Sequence, residues 1–421
     1  MIGLVDGNNF YVSCERAMDP KLNGKPVAVL SNNDGCCVAM SPEFKALGIP
    51  RGTPYFKLRD REWPRGELVF RSSNYELYGD LSRRIIAILR DRAVAVEQYS
   101  IDEAFIRPPL GCVDLADYGR DVRAQILKWV GIPCGIGFAP TKTLAKIANH
   151  IAKKSTDGVF ILPDDPSDIL DSLPTDEVWG VGRRLPAKLR ADRIHTARDL
   201  RDAPDDLLRR IGGVCLLRTA MELRGFASSG DCAYDADPDS VSCSRSFGEQ
   251  VTSLDALSES IASFTAEAAT KLRRHGMLAA GCNIYAQIAM PHSSACDWNS
   301  ENSFYGATVM FPEPTDATNV MLKAIRRDIA SVFIEGTRYR KSGVVFFGIE
   351  KADAIHQADL FDSAHHESSP LYKAIDALNG RLGKGTVFAA AEGLGERAWK
   401  MKRAKLSRRA TTNWSELLTV R

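Results

Sequence analysis

The sequence has ten cysteines but no C-x-x-C pair. Scattered thiols without that spacing argue against a zinc site or a disulfide scaffold and fit a reducing cytosol. The seven histidines show no ligand spacing either; His365 and His366 lie in a polar, solvated segment. No apolar run approaches the roughly 20 residues that cross a bilayer, and the N-terminus lacks a signal-peptide pattern. A cytoplasmic protein without membrane contact is expected. The net charge is only +2, so overall charge gives no sign of a nucleic-acid partner. Charge is unevenly placed, however. Arg338 to Lys341 and Arg397 to Arg409 are locally basic, which suits a partner held in one groove.

What is present is more telling. At 421 residues, with 44% hydrophobic and 26% charged residues, the chain is long enough for three or four soluble domains. Its organising stretch is Val94 to Phe105. Val94, Val96 and Tyr99 read as one strand, and Ile101, Ala104 and Phe105 as the next. Asp102 and Glu103 sit side by side in this apolar hairpin, where two carboxylates repel each other and lose hydration. A divalent cation would cancel the repulsion; a solvent-facing turn is the plain alternative. Upstream, Ile2 to Val5 form a short strand that ends on Asp6, and a helix begins near Phe10 and Tyr11. A carboxylate at such a strand end is well placed to join the hairpin. Asp6, Asp102 and Glu103 together could hold two Mg²⁺ ions about 4 Å apart for in-line phosphoryl transfer.

Taken in order, Pro26 to Asn32 and Cys37 to Met40 read as a hairpin through Asn33-Asp34-Gly35. Helices are expected at Tyr75 to Asp91, Leu115 to Val130 and Thr141 to Lys153, with a strand at Pro133 to Phe138. Without the insert the order is β, α, β, β, α, β, the ferredoxin-like pattern, which carries no function by itself. Two glycines in Val178 to Arg184 allow close backbone approach to a phosphate, with Arg183 and Arg184 adding charge; a plain connecting turn is the alternative. Phe226 to Ser240 reads as a linker. Residues 242 to 349 then repeat the β, α, β, β, α, β order.

Six stretches carry a family resemblance: VDGNNFYVSCE, SNYELYGDLSRR, YSIDEAF, TKTLAKIANHIAKK, VWGVGRR and CSRSFGE. Together they resemble the Y-family translesion DNA polymerases, over the whole chain. The resemblance implies an α+β multidomain fold. It places a ferredoxin-like palm at residues 1–25 and 61–154, small fingers at 26–60, and a helical thumb with a helix-hairpin-helix at 155–240. A second ferredoxin-like domain, the little finger, takes 241–350, and a C-terminal partner-binding region takes 351–421. The implied activity is error-prone, SOS-type DNA-templated synthesis by two-Mg²⁺ nucleotidyl transfer from a dNTP to a primer 3′-hydroxyl.

The resemblance also implies roles for residues. Asp6, Asp102 and Glu103 are catalytic, and Asp6, Gly7, Asp102 and Glu103 are the metal ligands. Tyr11, flanked by Phe10, is the steric gate against a ribose 2′-hydroxyl. Ser41, Lys45 and Lys153 complete the nucleotide site. Many relatives carry Asn-Tyr and then Arg three residues after the Tyr, where this chain has Ser41-Pro42-Glu43-Phe44-Lys45. A lysine is a point charge and cannot reproduce the arginine fork, so a weaker nucleotide grip is expected. Gly180, Gly182, Arg183, Arg184 and Arg245 are the implied DNA contacts. Gln357, Leu360 and Phe361 resemble a peptide that docks on the β sliding clamp. Primer-template DNA, a UmuD′-like accessory dimer and a RecA filament are the further implied partners, at the nucleoid when acting. The run Trp399 to Arg409 reads as either a nucleic-acid contact or a partner-binding helix. Two rival functions are a palm-fold nucleotide cyclase, which needs no duplex-binding hairpin, and a non-catalytic DNA-damage scaffold, in which the carboxylates are structural.

Overall fold

The computed structural model describes residues 1–60, 68–228, 237–289, 304–352, 370–395, 397 and 399–417. They form two units. One comprises Met1–Ser31, Gly35–Asp235 and Lys405–Arg421; the other comprises Asn32–Asp34 and Ala236–Ala404.

The first unit begins with β1 (Ile2–Gly7) and α1 (Phe10–Met18). The helix opens at Asn9, whose φ of 45° is left-handed, a conformation that asparagine tolerates better than most residues. A small insert follows, with β2 (Val27–Leu30), β3 (Cys37–Met40), α2 (Pro42–Lys45) and β4 (Val69–Ser72). β2 pairs antiparallel with β3 and parallel with β4. The fingers sheet therefore extends to Ser72, beyond the expected limit at residue 60. β4 is remote in sequence from β2 and β3, so their common sheet is a long-range pairing that local periodicity does not report. Ala28, Leu30, Phe44 and Phe70 form its core.

The unit continues, where a palm is expected, with α3 (Tyr75–Arg92), β5 (Ala95–Gln98), β6 (Glu103–Arg107), α4 (Leu115–Val130), β7 (Cys134–Ala139), α5 (Lys142–Ala152) and β8 (Val159–Ile161). Its sheet order is β5-β6-β1-β7-β8. The first four strands have the ferredoxin-like order, and β8 adds an edge parallel to β7. Because side chains alternate across a strand, the two faces differ. Val5, Ala104, Ile106, Ile136 and Phe138 pack under α3 and α4. Leu4 and Phe105 face α5 with its Leu144 and Ile147. Burying these two α5 side chains contributes about 1.5–3 kcal/mol each.

Helices α6 (Ser167–Ser172), α7 (Leu185–Ala191), α8 (Ala197–Asp202) and α9 (Asp205–Leu223) follow, over the residues where a thumb is expected. Glu222 at the end of α9 is almost fully buried. Its carboxylate accepts from Thr143 N and Oγ1, both at 2.8 Å, which ties the thumb to the start of α5.

The second unit holds β9 (Val241–Val251), α10 (Leu254–Arg274), β10 (Met277–Ile288), β11 (Phe304–Thr315), α11 (Thr318–Asp328), β12 (Tyr339–Lys351) and α12 (Pro370–Leu382). The expected element order is present, but the strand order is β11-β10-β12-β9. The last strand lies inside and the first at the edge, the reverse of the palm. Periodicity predicts elements and leaves open which strands pair.

The run Trp399 to Arg409 is not a helix. Trp399 is buried and meets Phe264 edge-on at 5.5 Å, while residues from Lys405 onward belong to the first unit. From Met401 to Arg409 successive residues alternate between half-buried and exposed.

Candidate active site and nucleic-acid contacts

The register of β1 and β6 places Asp6 directly opposite Glu103, and Leu4 opposite Phe105. Asp6 and Glu103 therefore point to the α5 face of the sheet, at its open end. Asp102 sits one residue earlier, in the turn between β5 and β6. Ser100 builds that turn. Its Oγ lies 2.6 Å from Asp102 Oδ1 and accepts from the backbone N–H of Asp102 and Glu103 at 3.2 and 3.0 Å. Gly7 N donates to Asp102 O at 2.9 Å, locking the two segments together.

Helix α5 supplies the counter-charges. Lys142, Lys146, Asn149 and Lys153 are spaced i, i+4, i+7 and i+11 and form one stripe. Lys142 Nζ pairs with Glu97 at 2.7 Å, Lys146 Nζ with Glu103 at 2.9 Å, and Lys153 Nζ with Asp6 at 2.5 Å. Asn149 Nδ2 donates to Leu4 O and Gly135 O at 3.0 and 2.8 Å. Among the described residues, no three His, Cys, Asp or Glu side chains close into a ready coordination shell; Asp6 and Glu103 lean on lysines instead.

Burial pushes the Asp6 carboxyl up to about 6, opposed by Lys153 and reinforced by Glu103 and Asp102. A raised carboxyl contributes stability that is fully present below its unfolded value, near 4, and is lost as the pH rises to about 6. In chelator, the parent is thus expected to lose on the order of 2–3 kcal/mol from this group between those pH values. Asp6→Asn should remove that part of the pH dependence, measured as the slope of Tm against pH. Equal slopes in the two proteins would sink the assignment.

The aromatic pair behaves as two different residues. Phe10 is buried in the palm core. Tyr11 is half-buried and stacks on Tyr78, with ring centroids 4.6 Å apart and planes at 15°. Tyr75 meets it edge-on at 6.1 Å. Burial raises the Tyr11 hydroxyl above its usual range, and Arg51 opposes that rise. Lys45 Nζ donates to Asn9 Oδ1 at 2.5 Å. Burial first, then Lys153 and Arg51, hold the Lys45 ammonium below its usual range. Three mutually repelling cations beside the carboxylates make a place for a polyanion.

Ser41 is not part of this place. Its hydroxyl is fully buried, accepts from Phe44 N and Val27 N at 3.2 and 3.1 Å, and donates to Lys25 O at 3.2 Å. It caps α2, as serine commonly does. Arg51, Lys146, Asn9 and Ser100 take part in the site, although the sequence reading gave none of them a role. The α5 stripe and the Asn-Asn pair before α1 were their available signals; Arg51 has none.

In the thumb, Gly180 has a φ of +92°, and an added Cβ would sit 2.6 Å from Thr219 Oγ1. At Gly182 a Cβ would meet nothing within 4 Å. Arg183 and Arg184 beside it are exposed. Trp179 Nε1 donates to Tyr99 OH at 3.1 Å, seating the turn on the palm. Gly180→Ala is expected to lower stability by about 1–2 kcal/mol through strain and crowding. Gly182→Ala should leave Tm unchanged yet weaken duplex binding several-fold in a filter or anisotropy titration. Unchanged binding would reduce the turn to a connector.

Arg245 does not project freely. It pairs with Glu267 on α10 at 2.6 Å, on the helix-covered face of its sheet, where Cys243 and Phe247 are buried. The neighbouring Ser244 and Ser246 face the other way, and Lys341, registered opposite Ser246, shares their side. The strand's alternation thus assigns the open face to Lys341. Gln357, Leu360 and Phe361 lie outside the described residues. No helix of the described residues is long and apolar enough to cross a membrane.

Residues 5–150 match the impB/mucB/samB family, residues 238–360 match that family's C-terminal domain, and residues 369–420 match a domain of unknown function. Protein UmuC of Salmonella typhimurium is 40% identical over 432 residues, covering 100% of both chains. Protein ImpB of Salmonella typhimurium is 38% identical over 99% of each. DNA polymerase IV of Moorella thermoacetica is 30% identical over 92% of this chain and 94% of its own. Among solved structures, a Dbh-Dpo4-Dbh chimera of Y-family DNA polymerases superposes with a TM-score of 0.63 at 21% identity, covering 83% of this chain and 100% of that one. The chain accordingly belongs to the impB/mucB/samB family, the UmuC-related branch of the Y-family translesion DNA polymerases.

Proposed function

We propose that this chain extends a DNA primer from deoxynucleoside triphosphates across damaged template bases, with Asp6, Asp102 and Glu103 as its catalytic carboxylates. One observation carries the assignment: β1 and β6 set Asp6 opposite Glu103, with Asp102 beside them on a hydroxyl-anchored turn. This all-oxygen donor set, with the Gly7 carbonyl, suits hard divalent cations. Asp6, Gly7, Asp102 and Glu103 would hold two Mg²⁺, which when bound supply Lewis-acid activation of the primer 3′-hydroxyl and charge neutralisation at the phosphates. Lys153 and Lys146 hold the Asp6 and Glu103 charges in the meantime.

The remaining roles follow from position. Lys45, Lys153 and Arg51 grip the triphosphate. Tyr11, backed by Tyr78, lies under the sugar and excludes a 2′-hydroxyl. The Gly180 to Arg184 turn and Lys341 hold the duplex by its backbone, without reading sequence. A UmuD′-like dimer, a RecA filament and the β sliding clamp are the expected partners, the last through Gln357, Leu360 and Phe361.

The test is primer extension on an abasic template with Mg²⁺ and dNTPs, with and without those partners, and again with rNTPs. The parent should extend with dNTPs and reject rNTPs. Tyr11→Ala should relax that rejection by on the order of 10²-fold, the scale at which pocket shape discriminates. Absence of extension under every condition, with DNA binding retained, would favour the scaffold reading.

A further inference from the structure

The C-terminal segment that matches a domain of unknown function reaches the sugar-gate tyrosine through two hydrogen bonds and one ring stack. Ser72 N, at the end of β4, donates to Lys405 O at 3.0 Å, and Lys405 N donates back to Ser72 Oγ at 2.9 Å. Leu406 bridges Ser72 in parallel. The segment thus adds a short extra strand to the edge of the fingers sheet. The Lys405 ammonium lies 5.6 Å from the centre of the Tyr55 ring.

The next inward residue is Ser407. Its Oγ accepts from Asn74 Nδ2 at 2.9 Å and donates to Glu15 Oε1 at 3.0 Å. Glu15 is almost fully buried on α1. The same Oε1 accepts from the Tyr78 hydroxyl at 2.7 Å, and Tyr78, also fully buried, is the ring on which Tyr11 stacks. The spacing makes this a closed frame. Tyr11 and Glu15 are four residues apart on α1. Asn74, whose Oδ1 caps α3, and Tyr78 are four apart on α3. Residues at that spacing share a helix face. Ser407 is the one member that comes from the far end of the chain.

A buried carboxylate needs its donors. Hydrogen bonds to a charged acceptor are among the stronger ones, and removing one leaves a desolvation cost that reorients the rest. Loss of the Ser407 donor leaves Glu15 with the Tyr78 hydroxyl and the charge of Arg71, and Tyr78 sets the plane against which Tyr11 rests.

We propose that Ser407 is a positioning residue for sugar selection: through Glu15 and Tyr78, the docked C-terminal segment fixes the Tyr11 ring and thereby sets how strictly ribonucleotides are refused. The inference rests on the reading of Tyr11 as the gate. Truncating the segment, or a partner that lifts it, would then loosen the gate without touching the carboxylates.

The experiment uses the full chain with its accessory proteins and compares incorporation of dCTP and CTP opposite a template G. Ser407→Ala and Tyr78→Phe should each raise kcat/KM for CTP by about three- to tenfold, the range that the net worth of one hydrogen bond corresponds to. For Ser407→Ala, dCTP incorporation should stay within about twofold of the parent, below that range. Ser407→Thr, which keeps the hydroxyl, should restore selection. The double variant should be no laxer than either single one, because both break one relay. Unchanged sugar selection in Ser407→Ala and Tyr78→Phe, alongside a relaxed Tyr11→Ala, overturns the relay and leaves the gate standing. Unchanged selection in Tyr11→Ala overturns the gate, and the relay with it. If Ser407→Ala does not fold, Tyr78→Phe with the parent ring intact decides the outcome.

Discussion

Asp102→Asn is expected to abolish primer extension, lowering kcat by about 10³-fold or more, while leaving the fold intact. The reason for choosing Asp102 lies in its surroundings. Asp6 and Glu103 each carry a lysine partner, so neutralising either strands a half-buried ammonium and mixes a stability effect with a catalytic one. Among the described residues Asp102 forms no ion pair; its Oδ1 is held by the Ser100 hydroxyl at 2.6 Å. An asparagine keeps an oxygen for that contact and loses only the charge. The expected result is Tm within about 2 °C of the parent, since removal of an unpaired charge costs well under 1 kcal/mol, together with retained DNA binding and no product in a single-turnover assay. Ser100→Ala is the graded companion, because it loosens the turn without removing a carboxylate, and it should keep partial activity. Extension by Asp102→Asn at the parent rate would remove the catalytic assignment. A large fall in Tm would mean the residue holds the hairpin rather than the chemistry.

The carboxylates were legible in the sequence because they break a rule there. Asp102 and Glu103 interrupt an apolar hairpin, and Asp6 ends an apolar strand. Strand alternation then places Asp6 and Glu103 on one face once the two strands pair. The cations were less legible. Lys146 and Lys142 read as an ordinary solvated helix face beside Leu144 and Ile147, and only the register of α5 over the sheet shows that each meets an acid. Ser41 and Arg245 show the same limit in reverse: their side chains meet backbone groups and Glu267. Each looks like a ligand when taken by position in a motif, yet an inward-facing serine at a helix start finds backbone donors first, and an arginine on the covered face of a sheet finds the nearest carboxylate. The strand order of the second unit and the place of β4 were hidden because pairing joins residues far apart in sequence. The tail allowed either a nucleic-acid contact or a partner-binding helix, and the non-helical chain from Trp399 to Arg409 removes the helix.

Gly137→Ala is expected to be the most destabilising single methyl in the chain's first unit, at about 3–5 kcal/mol or more. Gly135 and Gly137 lie on the α5 face of β7, level with Asp6 and Leu4. A Cβ on Gly137 would stand 2.1 Å from Asn149 N, 2.5 Å from Ala148 C and 2.6 Å from Asn149 Cα. These are backbone atoms of a packed helix, so no side-chain rotation relieves the clash and α5 itself must move away from the sheet. That shift would break the two bonds from Asn149 Nδ2 to Leu4 O and Gly135 O and draw Lys146 and Lys153 off Glu103 and Asp6. Stability and activity should therefore fall together, as a much lower denaturation midpoint and loss of primer extension. Gly380→Ala is the control of opposite sign. Gly380 lies inside α12, a Cβ there would meet nothing within 4 Å, and alanine should stabilise that helix by roughly 0.5–1 kcal/mol. A Gly137→Ala protein with the parent's midpoint would mean that α5 does not sit this close to the sheet, and the lysine–carboxylate pairs that depend on that approach would fall with it.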